Sequence, residues 1–400
     1  MGGSGQQKVV PLECLRGIAA LVVVVNHIIL GFAPGLITAT DTDDYGLFFG
    51  GLTFVTLGGA GGAVAFFFVL SGFVLPMPYL RRRDMDGTVR ALIKRWPRLA
   101  GPCVLTLIFA WLLYALDLYS FEQAGKITGT AWLQNGGSAD PLPSFVPSFA
   151  GAVSQGAFWT FFRGDNFYNT SLWTMRIELI GSVLALGLAP VFAGIRRSGV
   201  LFCLAAILMI TLHKLDFHLN EFIVGMVLVW MIQNNKIPRI PRPVAGGMVL
   251  VGLILLGFPV DGPHGPYRFI QPFFPGRSSL PHLWDIGAVL VITAVLRCAA
   301  LGDTLNGTAA RWLGRLSFPI YLLHVPILCS LGAAVFIGAS AALPSAEAIL
   351  VTAVASIGAT LLCAVPLAMF DQWWVAILNR SAARLVGKPA VSDIAVGTSK

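Results

Sequence analysis

Ten apolar runs, most of them long enough to cross a bilayer, leave this chain few folds to choose from. A spanning helix needs about 20 mostly apolar residues. The runs lie near 12–33, 52–75, 101–119, 172–193, 199–213, 217–232, 244–259, 282–300, 313–336 and 346–370. The fifth and sixth are short and read as tilted, broken or enclosed helices. Only 12% of the residues are charged, against roughly a quarter in soluble domains. That is too few to build a charged shell, so lipid must solvate most of the surface. The expected fold is all-α: a polytopic integral membrane bundle of about ten transmembrane helices.

The net charge of +8 does not point to nucleic acid, because the basic residues sit in short clusters between the apolar runs. Such clusters orient helices, with the basic side facing the cytoplasm. With the N-terminus in the cytoplasm, 21 of the 27 Lys and Arg residues fall on that side. Lys126, Arg163, Arg176, Lys214, Arg268 and Arg277 fall on the other, with Asp41, Asp43 and Asp44. Both termini are therefore expected in the cytoplasm. The first run contains Asn26 and His27 and no clear small-residue cleavage site, so it reads as a retained helix rather than a signal peptide. The six cysteines lie in or beside apolar runs, form no C-x-x-C pair, and read as small core residues.

The chain divides into one transmembrane domain, residues 1–375, and a short cytoplasmic tail, 376–400, expected to be partly disordered. Two long external segments, 120–171 and 259–281, do not read as separate domains. Within the first, Ser144 to Phe162 is apolar enough to lie in the interface or dip into the membrane. The glycine-rich stretch Gly58 to Gly62 reads as a site of close helix packing.

Ionisable groups at membrane depth are expensive, so each is a functional hypothesis. Arg16 and His27 share the first run, about 16 Å apart along a helix and on nearly the same face. An imidazole there can take a proton from a hydroxyl near neutral pH. The pair equally fits a helix-end arginine snorkelling to lipid phosphates and a histidine bonded between helices. Glu178 is expected at a depth similar to that of His27, where a carboxylate can orient an imidazole; Arg163 and Arg176 are its other candidate partners. His324, after Tyr321 and before Pro326, is either a substrate ligand or a core histidine. Lys94, Arg95 and Arg98 either recognise phosphate or anchor the chain at the membrane surface. His213, His218, His264 and His282 lie at run ends or in loops and read as solvent or interface residues. The sequence contains no H-E-x-x-H metal motif, P-loop, G-x-G-x-x-G fingerprint or G-x-S-x-G elbow.

Four motifs then occur in order. Leu15-Arg16-Gly17-Ile18-Ala19-Ala20 leads to His27. Phe67-Phe68-Val69-Leu70-Ser71-Gly72-Phe73 precedes Arg95-Trp96-Pro97-Arg98, an R-x-x-R element. Ser171-Leu172-Trp173 stands five residues before Glu178. Ser317 to His324 closes the set. On these motifs the chain resembles the polytopic membrane enzymes of acyltransferase family 3. It departs from their usual pattern at Glu13-Cys14, where Asp-Gly is common, and at Leu179, where a second acid often follows. Arg176 and Phe318-Pro319 are further departures.

The resemblance implies a transferase moving groups other than amino-acyl groups, most often acetyl. The implied donor is acyl-CoA, with no permanently bound cofactor and no metal. The acceptor would be a hydroxyl of a carbohydrate, lipid-linked glycan or small natural product. The implied catalytic residues are His27, Glu178 and Arg16; Arg95, Arg98, Ser71, Trp173, Tyr321 and His324 would bind substrate. Trp132, Trp159 and Trp173 would present the acceptor. The setting would be the plasma (inner) membrane, with the lipid bilayer as partner and no nucleic acid. A polytopic transporter of a glycan precursor or small molecule shares the topology and the buried polar residues. A sensor without chemistry would tolerate changes at Arg16 and His27.

Overall fold

The computed structural model describes residues 10–35, 60–258 and 280–386, which form helices and contain no strand. Ten principal helices are numbered in chain order: α1 Val10–Phe32, α2 Ala60–Val74, α3 Met85–Ala115, α4 Trp173–Gly194, α5 Ser198–His213, α6 Leu219–Gln233, α7 Arg242–Leu256, α8 Leu280–Arg297, α9 Thr308–Ile327 and α10 Ser345–Val386. Six described helical stretches, Val10–Phe32, Gly61–Arg82, Met85–Ala115, Thr170–Gly194, Thr308–Ala342 and Ser345–Val386, are long and apolar enough to span a bilayer. α5, α6 and α7 are shorter apolar helices. The chain is a multi-pass membrane protein. Expectations for residues 52–59, for Asp41, Asp43 and Asp44, for the 259–279 segment with His264, and for 387–400 lie outside the described residues.

Two helices are longer than the apolar pattern implied. α3 begins at Met85, where the Asp84 carboxylate caps it by accepting from the Gly87 N–H at 2.7 Å. The stretch holding Arg90, Lys94, Arg95 and Arg98 is therefore helix. α10 runs for 42 residues, so the expected tail is helical as far as Val386. The two polar ends support each other. Lys94 Nζ donates to Asn379 Oδ1 at 2.6 Å, Trp374 Nε1 donates to the Pro97 carbonyl at 2.7 Å, and Arg98 grips Asp371. Apolar periodicity stops where a helix leaves lipid, whereas backbone hydrogen bonding does not.

The segment before α4 is folded into the bundle. Phe149–Ser154, the π turn Gln155–Trp159 and Thr160–Phe162 form one helical run. It descends antiparallel along α3: Phe149 meets Trp111 at 5.3 Å and Phe158 meets Trp96 at 5.2 Å. Trp96 Nε1 also donates to the Ala157 carbonyl at 2.9 Å. The expected apolar dip is thus a helix, the form that satisfies its own backbone where water is absent.

Small residues set the closest helix contacts. α1 and α9 run parallel; a Cβ added to Gly17 would lie 2.7 Å from the Leu313 carbonyl carbon, and one on Gly314 2.7 Å from Glu13 Cβ. α2 and α6 meet at Gly225, where an added Cβ would lie 2.6 Å from the Phe73 nitrogen. Gly61 faces Trp284 and Gly62 the Leu256 backbone, which is the packing role expected of that stretch. Gly314→Ala is expected to push α1 and α9 apart and cost about 1–3 kcal/mol. A drop in the thermal midpoint in detergent, with a parallel loss of activity, is the check; an unchanged midpoint would refute it.

Candidate active site

The α1–α9 contact places His27 beside His324. His27 Nδ1 lies 2.9 Å from His324 Nε2, and the rings are parallel to within 2°. On its other side His27 stacks on Trp132, 4.9 Å away and tilted by 20°. Trp132 belongs to the short helix Ala131–Gln134, which packs over Gly31 at the end of α1. His324 is fully buried, while His27 keeps some accessible surface.

This chain of contacts assigns the protons. His324 Nδ1 lies 2.6 Å from the Tyr321 carbonyl, which can only accept, so this nitrogen carries the hydrogen. In a neutral imidazole the other nitrogen accepts. His324 Nε2 therefore accepts from His27 Nδ1–H, and His27 Nε2 is left with its lone pair free to take a proton.

Glu178 does not orient His27. Its Oε1 accepts from the Arg95 guanidinium and from Ser71 Oγ, the latter at 2.9 Å. Ser182 Oγ adds a longer contact of 3.5 Å. Arg163 and Arg176, its other sequence-level candidates, are not its partners. The cause is the starting depth of α4. Asn169 Nδ2 donates to the Leu322 carbonyl at 2.6 Å, and Thr170 Oγ1 donates to the Gly137 carbonyl at 2.6 Å. These bonds tie the entry to α4 into the interior, level with Tyr321, whose hydroxyl donates to the Ser171 carbonyl at 2.9 Å. Glu178 then lies about two turns further towards the arginine-rich end, while His324 lies one turn from Tyr321 the other way.

Beneath Tyr321 a cavity of about 130 Å3 opens, lined by Arg16, Ser71, Arg95, Arg98, Glu178 and Tyr321, among others. Its arginines all have carboxylate partners. Arg95 pairs with Glu178, Arg98 is held by both oxygens of Asp371, and Arg16 lies 3.6 Å from Glu13. Arg98 also sits 5.9 Å over the Phe318 ring. The cavity can hold a hydrogen-bonding or anionic group near Arg16, the most loosely paired of the three. His27 is not among its lining residues. Tyr321 links the two sites, with its ring 5.6 Å from that of His324. Trp173 points elsewhere, towards His218 at 5.5 Å.

Several residues escaped sequence reasoning. Asp371 lies one position past the expected end of the last apolar run. His218, expected at an interface, is buried, with Nδ1 2.9 Å from Glu221 Oε1. Glu221 and Asp285 are buried carboxylates within apolar runs, and the depth test that flagged Glu178 would have found both. Glu221 Oε2 and both Asp285 oxygens have no hydrogen-bond partner among the described residues. Among the described residues, no three His, Cys, Asp or Glu side chains converge as a metal site.

A family model described as an acyltransferase domain matches residues 10–369. The chain belongs to acyltransferase family 3. This acyltransferase is 24% identical over 368 residues to the O-acetyltransferase PaAT-1 of Phomopsis amygdali, covering 80% of this chain and 72% of the relative. No solved structure matches it. At the level of the family, this enzyme is an O-acyltransferase.

Proposed function

We propose that this acyltransferase moves an acyl group, most simply acetyl, from cytoplasmic acyl-CoA to a hydroxyl of a carbohydrate, lipid-linked glycan or small natural product, with His27 as general base. The observation that carries this reading is the Tyr321 carbonyl–His324–His27 chain, which leaves His27 Nε2 as an acceptor. The named activity of PaAT-1 supports acetyl as the group.

In this reading the acceptor oxygen attacks the thioester carbon while His27 Nε2 takes the hydroxyl proton. The C–S bond then breaks, and the departing thiolate takes the proton back from the imidazolium. His324 holds His27 in the required tautomer and accepts from its Nδ1–H as positive charge develops, the part that a carboxylate plays in other His-centred sites. Arg16, at the cavity, meets the anionic donor. Arg95 and Arg98, fixed by Glu178 and Asp371, supply positive potential there and orient the thioester arm. Ser71 and Tyr321 line its path, and Trp132 offers an aromatic face beside the base.

Ten spans with both termini in the cytoplasm of a plasma (inner) membrane complete the reading, supported by the 21 basic residues that this orientation places inside. The donor side is then the arginine-rich end, and His27 lies towards the opposite face.

The test supplies acetyl-labelled acetyl-CoA to the purified chain in vesicles. Release of free CoA, with label on a hydroxyl acceptor or on water, is expected. Intact acetyl-CoA, together with passage of an unlabelled solute, would overturn the proposal in favour of transport.

A further inference from the structure

A second depression lies on the far side of α4 from the cavity. It is a cleft of about 570 Å3 lined by Arg163, Trp173, Arg176, His213, Phe217 and His218, among others. α4 separates the two spaces. Thr174, Met175 and Glu178 face the cavity, whereas Trp173, Arg176 and Ile177 face the cleft. Phe68 completes the partition, lining the cavity while its ring lies 5.5 Å from that of His218.

The charge at this cleft differs from that at the cavity. Arg163 and Arg176 are exposed, and among the described residues neither has a carboxylate partner. Arg163 is held 4.0 Å over the Trp159 ring, and the Arg176 side chain runs beside Gly164. The acid in the lining, Asp216, already accepts the His218 N–H at 2.9 Å. Lys214, exposed, stands between the lining residues His213 and Leu215. Two basic side chains, Arg163 and Arg176, thus line the cleft, with Lys214 beside it.

Apolar surface accompanies the cations. Trp173 is 40% exposed and Leu215 is 76% exposed. Guanidinium groups recognise oxyanions through paired donors, and an indole face packs against a chain or a ring.

We propose that this cleft binds the anionic group, a phosphate or carboxylate, of an amphiphilic molecule, with Arg163 and Arg176 holding the anion and Trp173 and Leu215 its apolar part. Because the cleft shares a wall with the cavity, the natural occupant is an anionic acceptor or its lipid carrier. That identification rests on the acyl-transfer reading; the binding itself does not.

The probe is decyl phosphate, titrated into the purified full chain in a neutral detergent and followed by calorimetry, with decyl glucoside as the uncharged control. Saturable binding of decyl phosphate is expected, weakened by about tenfold or more in Arg163→Gln/Arg176→Gln. Lys126→Gln should bind as the wild type does, and Arg163→Lys/Arg176→Lys should recover part of the affinity. Equal binding by wild type and the Gln pair, or equal binding of the charged and uncharged probes, overturns the proposal. Displacement by phosphatidylglycerol in mixed micelles assigns a lipid headgroup, and displacement by glucose 1-phosphate assigns a soluble phosphate ester; displacement by neither overturns the proposal. These readouts involve no acyl transfer, so they stand or fall apart from the catalytic reading.

Discussion

His27→Ala is expected to lower acyl transfer by about 10²–10⁴-fold, the contribution of a positioned general base, while the protein still inserts and folds. The folded state tolerates the change because His27 is only partly buried and lies between Trp132 and His324 rather than inside a salt bridge. His324→Ala should lose nearly as much activity, since it frees the His27 ring to rotate and removes the acceptor for Nδ1–H. It should also lower stability, because the Tyr321 carbonyl then loses its 2.6 Å donor in a fully buried setting. Residues that act as a unit are strongly non-additive, so the double variant should be scarcely slower than His27→Ala alone. Single-turnover transfer from labelled acetyl-CoA measures all three. A His27→Ala enzyme that works at the wild-type rate eliminates the base, and a fully additive double variant eliminates the dyad.

Glu178→Ala is expected to act first on stability. The carboxylate and Arg95 are both largely removed from solvent, with side-chain exposures of 13% and 16%. Removing one partner strands the other charge, a change that typically costs about 3–5 kcal/mol when the pair is buried. Arg95 is poorly placed to compensate, because its Nε already has no partner. Ser71 Oγ would lose its acceptor as well. Glu178→Gln keeps an oxygen for Ser71 and Arg95 and should cost less. Combining Glu178→Ala with Arg95→Ala should recover part of the loss, which a double-mutant cycle of thermal midpoints would show. Loss of turnover without any change in midpoint would instead return Glu178 to a direct part in the chemistry.

The behaviour of Glu178 shows how far the site was legible. Its importance could be read locally, as a carboxylate inside an apolar run. Its partner could not, because the depth of a residue depends on where its helix begins. α4 begins inside the bundle, and the bonds responsible, from Asn169 to Leu322 and from Thr170 to Gly137, join residues far apart in sequence. Arg95 and Arg98 stood out as a basic cluster and as an R-x-x-R element, but the acid that holds Arg98 sits 273 positions away. His324 was recognised as either a ligand or a core residue; only its contact with His27 gives it a proton and a direction.

The sequence by itself determined that this chain is a helical membrane protein and that arginine and histidine share one face of α1. It also carried the four motifs of acyltransferase family 3. The first two follow from composition and from the rise and twist of a single helix, and the motifs are carried by short stretches of residues, all local quantities. The tertiary structure alone decided that His27 answers to His324 rather than to Glu178, that α3 and α10 continue together past the apolar zone, and that Arg163 and Arg176 line one cleft. Each of these depends on the relative offset of separate helices, which glycine contacts and buried hydrogen bonds between distant segments establish, and no spacing within one helix encodes it.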